Sequence, residues 1–304
     1  MTLAERLAAA RATLTAAGIS SAEAANDAEL LARRALRWDR ARLIASLRDS
    51  VPPDLDPAYA ALIARRATRE PASQIIGVRE FWGLDFEVTR DVLTPRPETE
   101  LVVQAALDIY THAYAHEPAT HPPIIVDVGT GTGCIAIALA TELQGARFIA
   151  SDVSSKALAI ARRNASRHGV ADRIAFRHTA GVPENDVDII VSNPPYVPAA
   201  AERSLPPEVR DYEPAVALFG GDDGLRFYRM LLESAGDLTD AGWLVVEVGY
   251  DQGDAVRELA ASRFWPDADI HFWQPGRSYR DLQGIERVLT FQACHDTRVK
   301  EKTP

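Results

Sequence analysis

From residue 124 onward two kinds of segment alternate, and that alternation restricts the fold more than any other feature. Short apolar, β-branched runs (124–128, 148–151, 188–192, 243–248) are separated by stretches with helical spacing, among them 135–143 and 157–169. Such alternation implies βαβ units and a parallel sheet covered by helices on both faces. The expected class is α/β. Ligands of open α/β sheets bind at the carboxyl ends of strands, so the residues that follow each run are the candidates for function.

The first 70 residues have a different texture. Leu3, Leu7 and Leu14 fall at helical spacing, with Gly18 as a stop. Ser20-Ser21-Ala22-Glu23 reads as a capping box for a second helix carrying Leu30, Leu31 and Leu36. Asp39 is placed to cap a third, and Asp56-Pro57 to cap a fourth with proline at its first position. None is long enough to stand alone, so a small bundle is expected. Phe81-Trp82-Gly83-Leu84-Asp85-Phe86 suits a hairpin, and 111–123 a linker. The expected organisation is a helical substrate-binding domain (1–70), a β-hairpin linker (71–93) and a catalytic domain (94–304).

Composition removes several classes. The 304-residue chain carries a formal charge of −10, which argues against an affinity built on a long run of phosphates. Eleven arginines oppose nine acids within residues 1–70, so the acidity lies in the rest. Arg33, Arg34, Arg37 and Arg40 suit either an acidic partner or a solvated helix face. No apolar run reaches membrane length, the start has no signal-peptide pattern, and two cysteines make neither a disulfide framework nor a zinc site. A reducing cytoplasm is expected. Cys134 reads as a packed residue. His112, His116, Glu117 and His121 do not fit a zinc-protease helix, so no metal is expected. Trp82, Trp243, Trp265 and Trp273 read as core or edge aromatics.

Asp127-Val128-Gly129-Thr130-Gly131-Thr132-Gly133 runs from a strand through a glycine turn into a helix. The dinucleotide fingerprint is G-x-G-x-x-G; here the spacing is one residue tighter. It resembles motif I of the S-adenosylmethionine-dependent methyltransferases, whose fold is the Rossmann-like class I domain. That resemblance assigns Gly129, Thr130, Gly131, Thr132, Gly133 and Asn193 to the cofactor. Asp152 ends the next strand, about twenty residues on, where an acid accepts hydrogen bonds from ribose hydroxyls.

After the run 188–192 comes Asn193-Pro194-Pro195-Tyr196, similar to motif IV of methyltransferases that act on planar exocyclic nitrogens. Such a nitrogen has a delocalised lone pair. An asparagine oxygen and the Pro194 carbonyl can accept its two N–H bonds and aim the lone pair at a methyl group. Tyr196 can cover the planar group, and the prolines fix the carbonyl's direction. Adenine N6, cytosine N4 and glutamine N5 all remain open at this point.

Further segments narrow the choice: Pro71-Ala72-Ser73-Gln74-Ile75-Ile76-Gly77 leading into Phe81, Val92-Leu93-Thr94-Pro95-Arg96-Pro97-Glu98-Thr99-Glu100, 213–225, Glu247-Val248-Gly249-Tyr250-Asp251-Gln252, and Asp281-Leu282-Gln283-Gly284-Ile285-Glu286-Arg287-Val288. Together with the motifs above they resemble the release-factor glutamine N5-methyltransferases, the HemK/PrmC family. The resemblance implies a monomeric, cytoplasmic, S-adenosylmethionine-dependent enzyme that methylates the glutamine of the Gly-Gly-Gln loop in class 1 release factors. Asn193, Pro194, Pro195 and Tyr196 would hold the glutamine amide, and the helical domain would help grip the factor. A ribosomal-protein glutamine methyltransferase is the nearest alternative, then an adenine-N6 nucleic-acid enzyme, although no direct nucleic-acid substrate is expected. Arg96 and Glu98 suit either an ion pair that orders their loop or a role in shaping the site. The family's acid–aromatic pair near the adenine is replaced here by Ala180-Gly181. Val182 is then expected against the ring, with Glu184, Asn185 or Asp186 as the polar contact, and weaker cofactor binding is expected.

Overall fold

The computed structural model describes residues 1–114, 122–262 and 271–295. The chain divides into two compact units, one of Met1–Val78 with Leu205–Tyr212 and one of Arg79–Ser204 with Glu213–Pro304.

The first unit is built on α1 (Leu3–Ala16), α2 (Ser21–Leu36), α3 (Arg40–Ala45), α4 (Ala58–Ala67) and α5 (Ala72–Ile76). Leu3, Leu14, Leu31, Leu43 and Tyr59 share one apolar core, and the Tyr59 hydroxyl donates to the Ala28 carbonyl at 2.9 Å. The capping expectations meet mixed outcomes. Asp39 Oδ1 accepts from Arg42 N at 2.7 Å, as a cap should. Ser20 accepts from Glu23 N at 3.3 Å, but the Glu23 carboxylate does not reach back; it pairs with Arg66 at 2.8 Å. The complete capping box is at α1, between Thr2 and Glu5. At α4, Pro57 itself takes the cap position with no side-chain bond, because the Asp56 carboxylate is drawn to Arg6 at 2.9 Å.

Arg66 is 1 % exposed and would be costly to bury alone. Its guanidinium donates to Asp27 (2.6 Å), Glu23 (2.8 Å) and Glu208 (3.0 Å), and Arg69 pairs with Glu208 at 2.6 Å. Tyr212, from the same returning segment, accepts Gln74 Nε2 on its carbonyl at 3.0 Å. The segment therefore completes the helical unit through polar contacts.

The second unit begins with a hairpin of β1 (Val78–Phe81) and β2 (Leu84–Glu87), turned by Trp82 and Gly83 at φ 55° and 70°. Then follow α6 (Glu100–Ala113), β3 (Ile124–Val128), α7 (Cys134–Glu142), β4 (Arg147–Asp152), α8 (Ser155–Arg167), β5 (Ile174–His178) and β6 (Val187–Ser192). The short α9 (Pro207–Arg210) lies in the segment that belongs to the first unit. After it come α10 (Arg226–Glu233), β7 (Leu238–Glu247), α11 (Gly253–Ser262), β8 (His271–Arg280) and β9 (Glu286–His295).

Seven strands form one sheet in the order β5-β4-β3-β6-β7-β9-β8. The first five are parallel, and β9 runs antiparallel to both β7 and β8. Alternate strand residues feed two cores: Ile125, Ile189 and Val245 face α6 and α7, while Val126, Ile190 and Leu244 face α10 and α11. Burial on both faces explains why the strands read as continuous apolar runs. The antiparallel pair β8–β9 is mixed in polarity and carries no clear strand signal in sequence. Of the expected linker, residues 111–113 instead finish α6, and 115–121 lie outside the described residues. Trp273 is a core residue whose Nε1 donates to the Leu232 carbonyl at 3.2 Å; Trp82 and Trp243 are half-buried, and Trp265 lies outside the described residues.

Candidate active site

Strand β3 is paired with β4 on one side and β6 on the other. The chain leaves β3 toward β4 and β5 and later returns to build β6 and β7 on the opposite side. The loops after β3 and β6 therefore diverge, which opens a crevice at their carboxyl ends. Gly129 follows β3 and Asn193 follows β6, so the topology brings the two sequence motifs to one crevice.

The glycine turn is tied to its neighbours by backbone bonds. Gly129 N and Thr130 N both donate to the Ser151 carbonyl, at 2.9 and 3.0 Å. Gly131 N donates to Asp152 Oδ2 at 2.9 Å, and Ser154 N to Asp152 Oδ1 at 2.8 Å. Each oxygen keeps lone-pair capacity for a ligand hydroxyl. Burial raises the Asp152 carboxyl above the ordinary carboxylate range against the pull of those bonds. Gly129 has φ 76° and nothing within 4 Å of where a Cβ would stand. Gly133, at φ 82°, instead abuts Ile137 and Ala161, which brings α7 close to α8.

Under the turn, Asp127 is 1 % exposed. Its Oδ2 accepts from Thr130 Oγ1 at 2.6 Å and from Ala136 N at 3.3 Å, whereas Oδ1 is buried with no partner. Burial pushes this carboxyl up to about 7. Cys134 is buried beside it, its thiol pushed up to about 12 by burial, which leaves it inert at neutral pH.

At the other motif, Ser192 Oγ donates to the Val128 carbonyl at 2.7 Å and fixes the strand end. Asn193 Nδ2 donates to Thr99 Oγ1 at 2.9 Å. Thr99 Oγ1 donates in turn to Glu247 Oε2 at 2.6 Å, and Tyr196 OH lies 3.4 Å from Glu247 Oε1. Glu247 is 2 % exposed, and burial pushes its carboxyl up to about 7. Gln252 Nε2 donates to the Tyr196 carbonyl at 2.9 Å. The 213–225 segment then wraps the motif: Val197 N donates to the Leu218 carbonyl and Gly220 N donates to the Val197 carbonyl, both at 2.9 Å. A Cβ on Gly220 would stand 2.6 Å from the Pro195 carbonyl oxygen, so the close approach requires glycine there.

The cleft, about 760 Å³ with its open mouth, is lined by Gly129, Gly131, Asp152, Asn193, Pro194 and Pro195 among the residues expected at the site. Thr130, Thr132, Gly133 and Tyr196 are not in its wall. Thr130 is turned to Asp127, the Thr132 carbonyl accepts Asn164 Nδ2 at 2.9 Å, and Tyr196 packs on the core beside Glu247. Ala180 and Gly181 do line it, but Val182, Glu184, Asn185 and Asp186 do not. Val182 packs on the sheet core, and Glu184 pairs with Arg177 at 3.2 Å. The apolar wall comes from residues that sequence reasoning missed: Val92, Leu93, Val153, Phe227 and Met230. The only signal for the last two was the amphipathic run of α10. Arg96 pairs with buried Glu213 at 2.5 Å rather than with Glu98. His112 Nδ1 is 2.6 Å from the Asp108 carbonyl, and His116, Glu117 and His121 lie outside the described residues.

A release factor glutamine methyltransferase of Cereibacter sphaeroides is 46% identical over 263 residues, which cover 85% of this chain and 90% of that protein. The chain belongs to the release factor glutamine methyltransferase family. A second member, from Geobacter sulfurreducens, is 42% identical over 86% of this chain and 87% of its own length. Two family models agree: the PrmC N-terminal domain matches residues 5–77 and the methyltransferase small domain residues 103–205. Among solved structures, the hMettl16 catalytic domain in complex with the MAT2A 3′UTR hairpin 6 superposes with a TM-score of 0.54 at 18% identity, covering 74% of this chain and 80% of that one. That likeness supports the class I methyltransferase fold. Among the described residues, no helix is long and apolar enough to cross a membrane.

Proposed function

We propose that this chain transfers a methyl group from S-adenosylmethionine to the side-chain nitrogen, N5, of the glutamine in the Gly-Gly-Gln loop of class 1 peptide chain release factors. The observation that carries this reading is the shared cleft: Gly129, Gly131 and Asp152 form one wall, and Asn193 and Pro194 another. The family's curated members bear the name of that activity.

The cleft suits the cofactor in three respects. Asp152 can accept hydroxyl bonds, Gly129 leaves the turn open, and Val153, Phe227 and Met230 offer an apolar surface to a flat ring. Thr130, Thr132 and Gly133 act behind the turn, holding its shape. When bound, S-adenosylmethionine supplies an electrophilic methyl group. The protein's part is orientation. With Nδ2 of Asn193 donated to Thr99, the amide oxygen is the branch left for the acceptor's N–H, and the Pro194 carbonyl takes the other N–H. A planar amide held by two acceptors is drawn toward the pyramidal geometry that methyl transfer needs. Tyr196, with Pro195, stiffens this loop. The helical unit grips the factor, and the enzyme works as a cytoplasmic monomer.

The test is transfer of label from S-adenosylmethionine to four acceptors: a release factor, the same factor with its loop glutamine changed to alanine, a ribosomal protein and a DNA duplex. Label is expected in the first alone. Label in DNA, or equal label in the alanine factor, refutes the reading; label in a ribosomal protein instead moves it to the sister activity.

A further inference from the structure

The cleft leaves one question open: what makes the Asn193 amide face the acceptor with its oxygen rather than its NH2. The two branches have nearly the same shape, and a flipped amide would present donors to a substrate that is itself a donor. The direction must come from behind the cleft.

We infer that Thr99 and Glu247 are positioning residues that set the orientation of the Asn193 amide through a one-way chain of hydrogen bonds. Glu247 anchors the chain in its ionised form, because a carboxylate only accepts, and the assays below are therefore run above about pH 8, where a carboxyl raised to about 7 by burial is ionised. It is engaged on both oxygens, by Thr99 Oγ1 at 2.6 Å and Tyr196 OH at 3.4 Å. A hydroxyl has one hydrogen. Once Thr99 gives its hydrogen to Glu247, its oxygen is available to accept, and Asn193 Nδ2 is the donor, at 2.9 Å. The amide oxygen is thereby assigned to the other branch. Thr99 (2 % exposed) and Glu247 (2 % exposed) are both shielded from water that could reverse the chain. The arrangement also gives a chemical reason for the Thr94–Glu100 segment: the turn Pro97–Thr99 delivers the hydroxyl between the ends of β6 and β7.

The inference rests on the proposed amide-methylating site, and its test separates the two. Wild type is first measured with labelled S-adenosylmethionine and a release factor; absence of label refutes the substrate reading alone. Thr99→Ser keeps the hydroxyl and should hold kcat within about threefold, whereas Thr99→Val should lose on the order of tenfold in kcat with KM and cofactor affinity little changed. Glu247→Gln retains shape but has one acceptor oxygen for two donors. It should lose tenfold to a hundredfold, roughly, in kcat with cofactor affinity little changed. The activity-independent readout is the Asn193 side-chain NH2, followed by NMR. Its protons should exchange slowly in wild type and in Thr99→Ser, and faster in Thr99→Val. Equal exchange in all three, or a Thr99→Val enzyme with wild-type kcat, overturns the assignment whatever the acceptor proves to be.

Discussion

The first and last glycines of the turn look alike in sequence, yet the structure gives them different work, and substitution by alanine should separate them. At Gly133 a Cβ would stand 2.9 Å from Ile137 Cδ1 and 3.1 Å from Ala161 Cβ, on a backbone at φ 82°. Ile137 is a fully buried core side chain, and the Ala161 methyl cannot rotate away. Left-handed backbone costs about 1–2 kcal/mol for an L-residue, and forcing a methyl into a packed core about 1–3 kcal/mol. Gly133→Ala should therefore lose roughly 2–5 kcal/mol. Gly129→Ala has the backbone cost alone, about 1–2 kcal/mol, since nothing lies within 4 Å of its Cβ. Its methyl would instead occupy space beside the cleft.

The assay is hydrogen exchange of the α7 amides, which reports the opening of this unit specifically, alongside calorimetric titration with S-adenosylmethionine. Gly133→Ala should accelerate exchange by about thirtyfold or more while the folded fraction binds cofactor normally. Gly129→Ala should show the reverse balance, with a small change in exchange and a large loss of affinity. Stability losses in the opposite order would refute the division of labour.

Three other outcomes follow from the same geometry. Arg66→Met leaves the buried Asp27 without its cation and Glu208 with Arg69 alone and should destabilise the helical unit by about 3–5 kcal/mol, read as faster exchange in α2 and α4; adding Asp27→Leu should recover part of it. Asp127, with a carboxyl raised to about 7 by burial, favours the folded state below its ordinary range and loses that contribution as pH climbs toward 7. Asp127→Asn should thus gain on wild type by up to about 1.4 kcal/mol per pH unit between 4 and 7, measured by ligand-free urea unfolding. Ala180→Asp, at the cleft wall, should tighten S-adenosylmethionine by about tenfold or less, and calorimetry showing no change would remove Ala180 from the ligand's surroundings.

What the sequence disclosed was local, and what it withheld was distant. Gly129, Asp152 and Asn193 each terminate a strand, so a run of apolar residues and the turn after it were enough to find them. Thr99 and Glu247 lie in segments that resemble the family but whose chemistry is not legible locally, because the bond between them spans 148 positions. Local sequence offers Arg96 its neighbour Glu98 or a site-shaping role, whereas its partner, Glu213, is 117 positions away. Val182 and Glu184 do not line the cleft, for a related reason: part of its apolar wall comes from α10, which a reading of the β5 loop alone could not reach.

The membership of Leu205–Tyr212 in the helical unit has a consequence for biogenesis. Arg66 and Glu208 are 142 positions apart in the chain. At ordinary rates of synthesis of 5–20 residues per second, the bundle waits on the order of ten seconds for its last segment. Throughout that interval β3, β4, β5 and β6 emerge first, so the part of the protein that begins earliest is completed only after much of the catalytic sheet exists. A fragment cut after Val78 would for the same reason be an unfinished bundle rather than an independent module, with Arg66 lacking one of its three carboxylates.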